Sequence, residues 1–259
     1  MQSDKKTEAG RQPAPKIKTE DVRRARTILE KYRQGKQNLE NRIIENEKWF
    51  RLRHWDTFPT KDGSRRRPAS AWLFNALANK HADAMDNYPE PCVLPRAADD
   101  EAAAAMLSDV LPVVLDQNGY EQVYNDAWWY KLRTGTAVKG VFWNPRKLGG
   151  LGDIEIKLCD VLNLYWEPGA EDIQESPHLF CLKLASVNEL QAMYPWAVIR
   201  PGDVSQVKQY QYDDTVDTTD KVVVTDWYYK KRAGGRSVLH YCKFVGDTVL
   251  YASENVPEY

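Results

Sequence analysis

The residues able to do chemistry are scattered along the chain. Asp160, Glu167, Asp172 and Glu175 come nearest to a metal-binding carboxylate set. Asp160, Glu167 and Asp172 are the three that a magnesium-dependent nuclease would use, but they lack the fixed spacing of a cation-binding loop. His54, His81, His178 and His240 stand alone in sequence and read as solvated or core side chains. Cys92, Cys159, Cys181 and Cys242 form no close pair, which fits free thiols in a reducing compartment. Gly150-Leu151-Gly152 lacks the third glycine of a dinucleotide fingerprint and precedes a strand where a helix would be needed. No phosphate-binding loop, H-E-x-x-H or G-x-S-x-G motif occurs. The sequence therefore predicts no catalytic residue, no metal ligand and no cofactor.

Composition narrows the classes further. The chain has 259 residues and a formal net charge of −1. A tight, nonspecific nucleic-acid binder needs a strong excess of Lys and Arg. Arg65-Arg66-Arg67 could touch phosphates, but no second basic cluster supports it, and it reads as a solvated loop. No apolar run is long enough for a membrane span, and the N-terminus lacks the apolar stretch of a cleavable signal. Nine Trp and fourteen Tyr are the unusual feature of the composition. Such side chains serve both cores and subunit interfaces. Trp49, Trp72, Trp128 and Trp129 are the candidates for packing within or between subunits.

The elements that would position these residues follow from periodicity. Residues 1–18 are polar, hold two prolines and predict a disordered tail. Thr19 as N-cap with Glu20 and Asp21 then opens a long helix to about Arg53. Its apolar positions are Val22, Ala25, Ile28, Leu29, Tyr32, Leu39, Ile43 and Phe50, with a bend expected at Gly35. A coiled-coil dimer is the rival reading of this helix, but its heptads are few and polar. Residues 54–67 read as a loop, and Pro68 as the first turn of a second helix to Tyr88. A third helix starts at Asp99-Asp100-Glu101, is expected to kink at Pro112 and stops at Asn118-Gly119. A fourth runs from Tyr120 to a left-handed cap at Gly135, with Lys131 and Arg133 in its last turn.

The period then shortens. Thr136–Trp143 and residues 153–158 form a two-stranded ribbon, turned by Asn144-Pro145 and Gly149–Gly152. Alternation predicts that Ile154, Ile156 and Leu158 are buried, while Asp153, Glu155 and Lys157 meet water. A third short extended piece spans Leu162–Trp166. His178–Leu184 is a strand, and Ser186 with Glu189 reads as a capping box for a short helix to Tyr194. Pro195–Asp220 is loop-like, with a polar run from Asp213. Lys221–Lys231, Ser237–Val245 and Thr248–Ala252 predict an antiparallel meander. The sheet stops at Glu258-Tyr259 without a capping element, as a truncated chain would. The fold class is α+β: a long N-terminal helix and a helical layer over residues 19–135, then a mostly antiparallel sheet over 136–259.

The order of elements carries a resemblance. It runs from Asn41–Phe50 through Ala71–Asp83 into Pro89-Glu90-Pro91-Cys92-Val93-Leu94-Pro95-Arg96, then an acidic start, an Ala-rich helix and the helix closing on Gly135. Val138–Trp143 and Cys159-Asp160-Val161-Leu162-Asn163-Leu164-Tyr165-Trp166-Glu167-Pro168-Gly169 follow. This resembles the N-terminal part of portal proteins of tailed bacteriophages, of the short-tailed phage and prophage type, over roughly residues 43–175. The resemblance implies one wing-like domain of a homo-oligomeric ring, usually dodecameric, at a capsid vertex. It implies double-stranded DNA passing through the channel, and terminase, capsid and head–tail adaptor proteins as partners. It places the protein in the virion, and in the host cytoplasm during assembly. The family's stem, clip and channel loop are not recognisable in this chain, so no DNA-lining residue carries over. Two other classes fit parts of the sequence: a metal-dependent phage nucleic-acid-processing enzyme on the carboxylates above, and a Trp-rich carbohydrate-binding module on the β-sheet.

Overall fold

The computed structural model describes residues 17–57, 68–202, 204–209, 217–233 and 235–255. The predicted tail up to residue 16, the loop 58–67 with its Arg triplet, and residues 213–216 of the polar run lie outside the described residues. The chain is α+β, with helices first and antiparallel sheet after. In order come α1 (Thr19–Phe50), α2 (His54–Thr57), α3 (Trp72–Asp86), α4 (Glu101–Gln117) and α5 (Tyr120–Thr134). β1 (Val138–Asn144), β2 (Asp153–Cys159), β3 (Leu164–Trp166) and β4 (His178–Ser186) follow. Last come α6 (Val187–Met193), β5 (Lys221–Ala233), β6 (Arg236–Val245) and β7 (Thr248–Ala252). The chain divides into two compact units. One comprises residues 1–37 and 163–259, the other residues 38–162, so α1 contributes to both.

The first unit is built on a five-stranded antiparallel sheet in the order β3-β4-β5-β6-β7. Successive side chains of a strand point to opposite faces, so one strand serves two cores. In β5, Val223, Trp227 and Tyr229 join Val22, Ala25, Leu29 and Tyr32 of α1, together with Phe180, Cys242 and Phe244. Val222 and Val224 point the other way and pack with Leu190 of α6, Ala197, Ile199, Val245 and Leu250. α6 begins at Ser186 without a side-chain cap bond, contrary to the predicted capping box. The Val187 N–H is satisfied instead by the Asp220 carbonyl at 2.9 Å.

Two contacts fasten α1 to the chain around β3. A Cβ placed on Gly35 would lie 2.4 Å from Pro168 Cγ and 2.8 Å from its Cβ, closer than real Cβ atoms come. The glycine lets the proline ring seat on the helix backbone. The next residue, Lys36, is buried and donates from Nζ to the Leu164 carbonyl at 2.7 Å, with the Tyr165 ring centroid 4.3 Å away. A buried ammonium is tolerable only when so partnered. The start of α1 differs from expectation: the Lys18 N–H donates to the Asp21 carboxylate at 3.0 Å, so the cap sits one residue before Thr19, with Asp21 reaching back.

The second unit holds the remaining helices and the antiparallel β1–β2 ribbon. α5 packs on α3, α4 and β2. Gly135 caps α5 in the left-handed region at φ 81°, its N–H donating to the Lys131 carbonyl at 2.9 Å. α3 starts at Trp72, later than the predicted start at Pro68, and α4 runs through Pro112 as one element. Asn118 stitches the end of α4 to the ribbon, its Oδ1 accepting from the Ile156 N–H at 3.1 Å and from Lys147 Nζ at 2.9 Å.

Gly35→Ala is expected to lower stability by about 1–3 kcal/mol through overpacking against Pro168. At an open helical site the same change adds roughly 0.5–1 kcal/mol. Urea unfolding of the two proteins reads the sign directly.

Candidate assembly surface

The side chains flagged for chemistry do not converge. Among the described residues, no group of three or more His, Cys, Asp and Glu side chains is placed to hold a metal ion. Asp160 accepts from the Leu162 N–H at 2.9 Å, and Asp172 from the Gln174 N–H at 2.8 Å, so each carboxylate braces its own turn. The Glu175 N–H donates to the Asp172 carbonyl at 3.0 Å in the same turn, and the Glu167 N–H donates to Ser176 Oγ at 3.0 Å. Each histidine lies against an aromatic ring. His54 sits 4.7 Å from Trp49, His81 4.0 Å from Trp129, His178 5.9 Å from Trp227 and His240 5.5 Å from Tyr229.

The polar groups of the five-stranded sheet are largely consumed by structure. Asp226 is buried in β5, takes a hydrogen bond from Tyr241 at 2.6 Å, and has Lys183 Nζ at 3.3 Å and Lys243 Nζ at 3.6 Å. Burial, and then the charge and hydrogen bond of Asp226, push the Tyr241 phenol far above its ordinary range. Tyr229 donates to Glu254, which also pairs with Lys231 at 2.6 Å. Burial pushes the Cys242 thiol up to about 12. All four cysteines are free thiols, and Cys92 alone is exposed. Asp247 joins the loop after β6 to α1 through Arg23 at 3.1 Å and Arg26 at 2.8 Å, and those bonds hold its carboxyl below the usual range.

The second unit has the opposite character. Its buried apolar residues among those described are only Ile43, Ala104, Ala127, Val161 and Leu162. Every other buried apolar residue belongs to the sheet unit. On α4, Met106, Leu107, Val110 and Val113 are 67, 50, 48 and 54% exposed, and only Ala104 is buried. Leu94, on the segment held to α4 through Ser108, is 78% exposed. On the ribbon, Val141 and Trp143 are 70 and 65% exposed, and at its turn Leu148 and Leu151 are 62 and 83% exposed. The ribbon face carrying Val141 and Trp143 also carries Ile156 and Ile154, their cross-strand partners. That face was expected to be buried. No residue of β2 is buried, and Lys139 crosses to Tyr120 at 2.6 Å, covering the end of the face away from the turn.

The four tryptophans singled out from sequence divide. Trp72 is 81% exposed and Trp49 is 37% exposed; both line a shallow hollow with His54, Trp55, Pro68 and Leu73. Trp128 is half-buried beneath Lys131, and Trp129 is half-buried between His81 and Phe50. Trp143, Leu151 and the α4 stripe are not among the sequence candidates. Alternation in β1 and the run of apolar residues around α4 were the available signals. Neither the protein-family models nor the curated proteins compared with the chain give a match.

His178 gives this description a pH test. Burial holds its imidazole below the ordinary value, with Glu167 pulling the other way, and Trp227 Nε1 donates to its Nδ1 at 3.2 Å. The folded state therefore favours the neutral ring. Its contribution to stability is present above about pH 6.5 and is lost as pH falls from there toward the folded-state value. The urea midpoint should drop between about pH 7.5 and about pH 5.5. His178→Asn, which keeps an acceptor near Nδ1, should shrink that drop.

Proposed function

We propose that the chain is a structural subunit of a cyclic, head-to-tail assembly of the portal type. It contributes the wing region of a capsid-vertex ring through which double-stranded DNA is packaged and ejected. Terminase, capsid and head–tail adaptor proteins are its partners in this reading. The observation that carries it is the second unit, which buries few apolar side chains and leaves large ones on α4 and the ribbon in water. Monomers rarely expose contiguous apolar patches above a few hundred Å². Such a unit gains its missing cover from neighbours.

The element order supports the portal assignment within that class. A long polar helix, a helical layer, a hairpin and an antiparallel sheet follow one another as in the wing region that the sequence resembles. The net charge of −1 also suits a conduit, because a channel must pass its polyanionic cargo without holding it. Of the carboxylates that a metal-dependent nuclease would require, Asp160 and Asp172 are engaged in local turns, and among the described residues no set of three ligands converges, which supports the structural reading over that alternative.

Light scattering coupled to size exclusion, followed by negative-stain microscopy, tests the proposal. The expected result is a closed ring of identical subunits with a central channel. A persistent monomer at high protein concentration overturns it, and so does an open filament.

A further inference from the structure

The second unit carries two separate apolar surfaces, and they differ in charge. The α4 surface, with Met106, Val110 and Val113 at helical spacing, is bordered by Asp99, Asp100, Glu101, Asp109 and Asp116. No Lys or Arg occurs between Asp99 and Asn118. The ribbon tip presents Val141, Trp143, Leu148 and Leu151, and its turn, residues 144–152, holds Arg146 and Lys147; the Lys147 ammonium donates within its own chain to Asn118 Oδ1 and the Ile154 carbonyl, and Asp153 follows the turn. The tip is also shaped at a cost. Leu148 is held at φ 51°, a left-handed conformation that side-chain-bearing residues avoid at roughly 1–2 kcal/mol. An exposed leucine kept in a strained turn is unfavourable twice over in an isolated chain.

We propose that the ribbon tip of one copy seats on the α4 surface of the next copy. This rests on the assembly reading above and names its interface. Apolar surface meets apolar surface, and an acidic border meets a basic turn, which fixes orientation and disfavours α4-to-α4 contact by like-charge repulsion. Eight side chains, Met106, Leu107, Val110, Val113, Val141, Trp143, Leu148 and Leu151, are each about half or more exposed. At about 60–120 Å² of apolar area per large side chain, by the usual transfer coefficient, the four on each surface bring roughly 240–480 Å² from each copy. That is about a third to three fifths of the roughly 800 Å² per partner of a stable interface, so the charged border must supply the rest of the contact. Because the two surfaces are different, the contact is heterologous, and repetition closes a ring when the rotation allows it.

The test uses two variants of the full chain. Met106→Glu with Val110→Glu disables the helix surface, and Val141→Glu with Leu151→Glu disables the tip. All four positions are exposed, so far-UV circular dichroism should stay native. Each variant alone should self-associate at least about 30-fold more weakly than the parent chain, as loss of central anchors does. Mixed one to one, they should form a dimer of one copy of each and stop there, because one intact helix surface meets one intact tip. If either charged variant loses its native spectrum, Val110→Ser and Val141→Ser repeat the mixing without added charge. Parent-like rings in both variants overturn this interface and leave the assembly reading standing. Variants that dimerise alone, or that stay monomeric when mixed, overturn head-to-tail docking. A parent chain that never associates removes both readings.

Discussion

The seat of Pro168 on the bare backbone at Gly35, with Lys36 capping the Leu164 carbonyl beside it, is the constraint on which the sheet unit depends. It sets where α1 lies along β3. From that position Val22, Ala25, Leu29 and Tyr32 fall in register over the inner face of the sheet. A helix with charged residues at most other positions has little apolar surface with which to find its own place. One glycine and one buried ammonium supply the missing specificity. Asp247 adds a second fastening near the other end, through Arg23 and Arg26.

The two compact units solve the burial problem differently. The sheet unit covers both faces, with α1 on one side and α6 on the other, and pairs its buried acid Asp226 with a phenol and two ammonium groups. The other unit covers itself mainly where α5 meets its neighbours, with Trp129 packed against His81 and Phe50. Its outer apolar side chains on α4 and the ribbon stay exposed among the described residues. In the portal reading these are two parts of one design: a self-sufficient sheet that keeps its shape, and a helical part whose stability is shared among subunits.

Much of this was legible in the residues. The meander of β5, β6 and β7 follows from β-branched runs broken at Gly234-Gly235 and Gly246-Asp247, and the close of α5 from Gly135 after Lys131 and Arg133. The long reach of α1 follows from apolar spacing that continues across Gly35. What the pattern cannot say is whether an apolar face has cover. Ile154, Ile156 and Leu158 alternate as a buried strand should, yet β2 lies in a two-stranded ribbon and, among the described residues, nothing buries them. The same limit affected the tryptophans: Trp72 and Trp129 look alike in sequence, and only tertiary packing separates them. Sequence alone suggests only a bend at Gly35, because its partner, Pro168, lies far along the chain and leaves no local trace. Thr19 lost the cap to the residue before it because Asp21 offered a better-placed acceptor.

The thiols carry a practical corollary. Cys242 is sealed in the sheet core with its proton held to about pH 12, so at neutral pH it offers neither a nucleophile nor an easy target for oxidants. Cys92 is exposed and sits just before the segment tethered to Ser108 of α4. A thiol-specific dye should therefore enter the folded molecule chiefly at Cys92, giving a natural attachment point beside that helix without engineering.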